Sequence, residues 1–243
     1  MATLAVGRGS RERLFYTGVA IAMFATVFLG FARSFFLRPW FPDVPAPTEP
    51  VFFVHGVMFT AWLVLLVVQP ALVAVRRTDL HRKLGWLGAG LAVAMVALGI
   101  VGALTAARRP TGFVGIPVPP LQFLIVPVFD MVLFATFVAL AIAKRRDTQS
   151  HKRLMLLASV NLLAAGIARW PFAVMAAGPP MYFGLTDLFI VALVAWDFAS
   201  RGRVHPVTLW GGLAIVVSQP LRLVLMGTDA WLAFARWAVG LLG

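Results

Sequence analysis

The sequence predicts an all-α membrane protein: seven transmembrane helices arranged as repeated helix hairpins, an N-terminus in the cytoplasm, and a short interfacial helix at the C-terminus. Three observations carry that prediction. Hydrophobic residues make up 61% of the chain and charged residues 12%, with a mean hydropathy of +0.91, more apolar than a water-soluble domain tolerates. The apolar residues come in continuous runs close to the roughly 20 residues a bilayer core demands, not in the alternating segments of a membrane barrel. Between the runs stand short turns rich in Pro, Gly, Lys and Arg.

Taken in order, residues 1–12 read as a small basic tail. The first span covers about 14–32; it is too long for a signal peptide and lacks a small-residue cleavage site, so it reads as a retained anchor. Pro39, Pro42, Pro45, Pro47 and Pro50 keep 34–50 from being a continuous helix. Spans two and three cover about 51–75 and 84–106, and a Pro/Gly loop occupies 107–119. Spans four to seven follow at about 120–143, 153–175, 181–199 and 206–226. The tail 228–243 carries Trp231, Phe234, Arg236 and Trp237; it is short for a crossing and suited to lying flat at the interface. The whole of 1–243 reads as a single transmembrane domain. In the third span Gly85, Gly88, Gly90, Gly99 and Gly102 invite close helix packing, which places that helix centrally.

Charge gives the orientation. Lys and Arg crowd the tail (Arg8, Arg11, Arg13) and the turns after spans two (Arg76, Arg77, Arg82, Lys83), four (Lys144, Arg145, Arg146, Lys152, Arg153) and six (Arg201, Arg203). The other side holds Arg33, Arg38, Arg108 and Arg109. That asymmetry sets the N-terminus in the cytoplasm. The net charge of +12 is explained by these turns and by anionic lipid, so no nucleic-acid partner is expected. Cysteine is absent, which excludes disulfides, thiol catalysis and Cys-ligated metal.

One block is written twice. Leu80-His81-Arg82-Lys83-Leu84 and Ser150-His151-Lys152-Arg153-Leu154 each open an apolar run after a basic turn, and a looser copy stands at Arg201-Gly202-Arg203-Val204-His205-Pro206. Internal similarity of this kind marks folds built from repeated hairpins. His81 and His151 begin helices that run in the same direction, so adjoining helices would let both imidazoles ligate one metal or one haem iron. His205 is a candidate third ligand or hydrogen-bonding partner, and Arg82 and Lys152 would suit haem propionates. On the plainer reading these histidines bond headgroups and helix ends, with Lys and Arg snorkelling beside them, and His205 before Pro206 serves as a cap.

Within the spans lie His55, Asp130, Asn161, Arg169, Asp187, Gln219 and Arg222. An intramembrane charge costs about 2.5–3.5 kcal/mol, so each needs a partner or a wet cavity. Two readings follow: an ion-pair network joining spans four to seven, or a polar pocket in which Arg169 and Arg222 bind an anion and Asp130 or His55 exchanges a proton. His55 beside Gly56 is by itself a bundle histidine.

Phe15-Tyr16-Thr17-Gly18, His55 with Trp62 and Gln69, and the two histidine blocks resemble an uncharacterised family of bacterial multi-pass membrane proteins. Thr186-Asp187-Leu188-Phe189 and Gln219-Pro220-Leu221-Arg222 extend that similarity over almost the whole chain. His151-Lys152-Arg153-Leu154-Met155 is also similar to a block in membrane proteins linked to cytochrome oxidase maturation. Histidines on spans two, three and five resemble those of transmembrane di-haem b-type cytochromes, where two histidine pairs on four helices hold two haems. Span four here has no histidine, so the resemblance implies one haem site at most, His81 with His151.

Other chemistries find no support in the residues. Lys83, Lys144 and Lys152 lie outside the spans, which leaves no retinal Schiff base; no intramembrane protease constellation or phosphate-binding loop is present. Three roles remain: a haem b or metal protein of the bacterial cytoplasmic membrane serving electron transfer or respiratory-complex maturation, a non-catalytic subunit or assembly partner in a membrane complex, or a small transporter using the outer Arg/Asp cluster. The lipid bilayer is the partner common to all three.

Overall fold

A computed structural model describes residues 2–242, with side chains from Gly9 to Leu242. The side chain of Arg8 and the last residue, Gly243, lie outside the described residues. The helices, in chain order, are α1 (Ala2–Phe31), α2 (Pro50–Ala74), α3 (Thr78–Arg108), α4 (Pro120–Phe123), α5 (Ile125–Ala143), α6 (Thr148–Val160), α7 (Leu163–Ile167), α8 (Pro179–Arg201), α9 (Pro206–Leu225) and α10 (Asp229–Gly240). Among the described residues every regular element is helical. The expected basic tail is not separate: from Ala2 onward it is helix, continuous with the first span.

Six segments are long and apolar enough to cross a bilayer: Gly9–Phe36, Pro50–Ala74, Thr78–Arg108, Pro120–Ala143, Pro179–Arg201 and Pro206–Leu225. The chain is accordingly a multi-pass integral membrane protein. Large apolar side chains face outward, as lipid contact requires: Val93 is 74% exposed, Val224 73% and Trp86 68%. Prolines at the first turns of α2, α4, α8 and α9 start those helices, since an N-terminal proline sacrifices no helical hydrogen bond. Gly202, in the left-handed region at φ 70°, ends α8 by donating its N–H to the Phe198 carbonyl at 2.8 Å.

The expected fifth span, 153–175, is not one helix. α6 ends at Val160, Asn161 and Leu162 form a turn, α7 runs only to Ile167, and a 3₁₀ turn covers Ala173–Ala177. The Leu162 N–H bonds Ser159 O rather than the carbonyl four residues back. Asparagine favours such a break because its amide competes for backbone partners. The break is tolerable in lipid because Val160, Asn161 and Leu163 are all buried in protein. The segment still runs the length of the bundle: His151 meets the C-terminal end of α5 at Ala141 O, and Trp170 Nε1 donates to Thr26 O, 3.0 Å away, towards the far end of α1.

α3 packs between α2 and α5, with Gly88, Gly99 and Gly102 buried at those contacts; Gly85 and Gly90 face outward. A close approach of two backbones lies elsewhere, where Gly30 of α1 faces the main chain of Gly166 in α7 with no room for a Cβ. α10 folds back on the ends of α3 and α4, where Trp231 Nε1 donates to Leu121 O at 2.9 Å and Arg108 to Leu242 O at the same distance.

The bundle thus has a histidine end, with the α2–α3, α5–α6 and α8–α9 turns, and a loop end, with 37–49, 109–119, 168–178 and α10.

Candidate functional site

The duplicated block produces duplicated geometry. His81 is the fourth residue of α3 and His151 the fourth of α6. Their main-chain N–H groups bond to the residue that precedes each helix, Arg77 and Asp147. The two rings approach edge to face, with centroids 6.4 Å apart and planes at 85°. His151 Nδ1 lies 2.8 Å from Ala141 O, one of the carbonyls the end of α5 leaves without a helical partner. A carbonyl can only accept, so Nδ1 carries a proton and Nε2 is the nitrogen left to bind elsewhere. His81 Nδ1 and Gln69 Oε1 are buried without a hydrogen-bond partner. Gln69 belongs to the same place, since its Nε2 lies 3.8 Å from where a Cβ at Gly85, one turn beyond His81, would stand.

The remaining residues assigned to this end behave differently. Arg82 is exposed. Lys152 is engaged by Glu12 and sits over the Tyr16 ring, 4.6 Å from its centroid. His205 precedes α9 and accepts the Val207 N–H at Nδ1, 3.2 Å, as a helix cap. Burial, with Arg153 and Arg201 nearby, holds its pKa below the ordinary value. Among the described residues no three His, Cys, Asp or Glu side chains gather as a metal site, so His205 does not complete a ligand set with His81 and His151.

Sequence reasoning missed a fully buried polar centre at this end. Arg153, read as a turn residue, is fully buried and pairs with Asp197 of α8. Its Nη1 also donates to the carbonyl and the side chain of Gln149 at 2.8 and 2.7 Å. Asp197 accepts further bonds from Thr208 Oγ1 at 2.5 Å and from the His205 N–H at 3.1 Å. One guanidinium and one carboxylate thereby tie α6, α8 and the start of α9. The signal was available: Asp197 is the single acid in the run Ala192–Phe198, at a depth where a carboxylate needs a cation.

The expected outer cluster divides into parts. Arg222 of α9 bonds Asp130 of α5 at 2.5 Å, Ser218 Oγ at 3.0 Å and Asn161 Oδ1 at 3.4 Å. Asn161 Nδ2 donates to Asp130 O at 2.8 Å, so the break between α6 and α7 is held by the same network. Asp187 is bound by Gln219 Nε2 at 2.8 Å rather than by an arginine. Arg169 has no ion-pair partner among the described residues; its Nη1 donates to Ala165 O at 2.6 Å and its guanidinium lies 4.9 Å from the Phe31 ring centroid. His55 stacks on Phe59 at 3.9 Å and keeps a buried, unpartnered Nδ1. Arg169, His55 and Asp130 line a cavity of about 1030 Å³ that opens towards the loop end.

No protein-family profile, no curated protein and no solved structure matches this chain.

Proposed function

We propose that this protein carries one haem b, or a single metal ion in its place, between His81 and His151, and serves electron transfer or respiratory-complex maturation in the bacterial cytoplasmic membrane. The observation that carries the reading is the adjacent pair of imidazoles, 6.4 Å between centroids, offered by equivalent positions of two hairpins. His81 and His151 would hold the group between them. The donor set favours haem over a bare ion. Two imidazoles with no third His, Cys, Asp or Glu among the described residues leave a bare zinc short of protein ligands, whereas two imidazoles would suffice to hold a haem. Ala141 O supports His151 as carbonyls support metal-ligating histidines, by fixing the tautomer and ring orientation. When bound, such a group supplies one-electron chemistry; the chain contributes ligands and their positioning.

In this reading the N-terminus is cytoplasmic, because the basic turns lie at the histidine end. The broken α6–α7 segment counts as a seventh crossing. The test is the absorption spectrum of protein extracted from membranes. We expect a Soret band that His81→Ala and His151→Ala each abolish and that His205→Ala leaves intact. Colourless wild-type protein, free of metal by elemental analysis, would sink the proposal.

A further inference from the structure

We infer that the cavity at the loop end binds an amphiphile with a single oxyanionic head and a long apolar body, its head on Arg169 and its body along the aromatic walls. The site is independent of the histidine pair. Its volume, about 1030 Å³, stands at the upper end of what small-molecule sites enclose. Phe35, Phe52, Phe59, Trp62, Phe123 and Leu163 contribute to a predominantly apolar wall. Four arginines line the same space: Arg33, Arg38, Arg109 and Arg169. The carboxylates beside them are spoken for. Glu49 lies 3.5 Å from Arg109, and Asp130 is held by Arg222. The cavity therefore carries an excess of positive charge centred on Arg33, Arg38 and Arg169. Arg109 Nε and His55 Nδ1 are buried there with no hydrogen-bond partner, an arrangement that costs free energy unless something polar arrives.

Ligand classes separate on these features. A cation is repelled, and a neutral lipid leaves the arginines unanswered. A fully polar anion strands the aromatic walls against a solute that cannot cover them. Only a molecule with one anionic end and an apolar remainder answers both. The wall facing it includes Leu162 and Arg169, which flank the short α7 of the broken segment, and irregular backbone at membrane depth is found where it lines a cavity or a substrate site. A guanidinium receives carboxylate and phosphate alike, so the head can be either.

The experiment uses the full-length protein in nanodiscs of zwitterionic phosphatidylcholine. A long-chain fatty carboxylate, the matching alkyl phosphate, the matching fatty alcohol and inorganic phosphate compete against a fluorescent fatty carboxylate. We expect the carboxylate, the alkyl phosphate or both to displace the probe, and the ratio of their affinities identifies the head. The alcohol and inorganic phosphate should bind at least about tenfold more weakly, the loss of one charge-assisted hydrogen bond or of the apolar body. Arg169→Gln should weaken binding by a similar factor, and Arg169→Lys by much less. Equal binding of the alcohol, or of inorganic phosphate, overturns the inference on wild-type protein alone, whatever the variants do. Unchanged affinity in a folded Arg169→Gln protein overturns the assignment of the head. A colourless protein that binds the carboxylate removes the haem proposal and leaves this site standing.

Discussion

Arg153 and Arg169 stand at opposite ends of one broken segment, and the fold treats them in opposite ways. Arg153 is fully buried and saturated by Asp197 and Gln149, and its partners are saturated in turn by Thr208 and the start of α9. Arg169 faces a cavity with a carbonyl and an aromatic ring for company and no carboxylate. A buried polar group whose bonds are all made within the protein is part of the scaffold, and one left with capacity to spare is available to a ligand. The histidine end repeats the contrast on a smaller scale, with His205 Nδ1 used as a cap and His81 Nδ1 unpartnered.

The largest effect should come from breaking the saturated side. Asp197→Ala strands Arg153 in the interior and should cost about 3–5 kcal/mol, read from thermal or SDS unfolding in mild detergent. The double change Arg153→Met with Asp197→Leu should recover most of that loss, since no charge is then left alone. Arg169→Gln, on the unsaturated side, should shift unfolding by less than about 1 kcal/mol. Equal losses in Asp197→Ala and Arg169→Gln would erase the distinction.

Between these lies Asn161→Ala, which removes the donor to Asp130 O and an acceptor for Arg222 while keeping the ion pair. Each interhelical bond in lipid is worth about 0.6–2 kcal/mol, so unfolding should move by about 1–2 kcal/mol. A smaller loss, about 1 kcal/mol, is expected for His205→Ala, the usual cost of a cap, with no change in any Soret band. A spectral change there would turn the cap into a ligand.

The smallest effect is a pH dependence at the start of α6. Asp147 accepts the Ser150 hydroxyl and the N–H groups of Ser150 and Gln149, and these bonds hold its carboxyl below the ordinary pKa. A lowered folded-state value contributes stability above the ordinary value and loses it as the pH falls through the lowered one. A slight acid destabilisation below about pH 4 should therefore flatten in Asp147→Asn.

Much of this was legible along the chain. Continuous apolar runs marked the helices that TM-length and composition single out, and prolines marked their starts. The duplicated block told where two imidazoles would stand in their helices, and the fold adds that the two rings come together. Asn161 is where reading by run length failed: an apolar stretch of the right length hid a break, because the asparagine's partners, Asp130 and Arg222, come from α5 and α9. Arg153 is where reading by neighbourhood failed. It sits among basic turn residues, and only the approach of α8 brings Asp197 to it.

The sequence by itself determined that the chain is a multi-pass helical membrane protein, because hydrocarbon tolerates only runs of apolar residues whose backbone bonds close within the helix. The tertiary structure alone decided which charges are spent and which are spare. An arginine in lipid must find a carboxylate, a carbonyl or a cavity, and that choice depends on which helices arrive beside it.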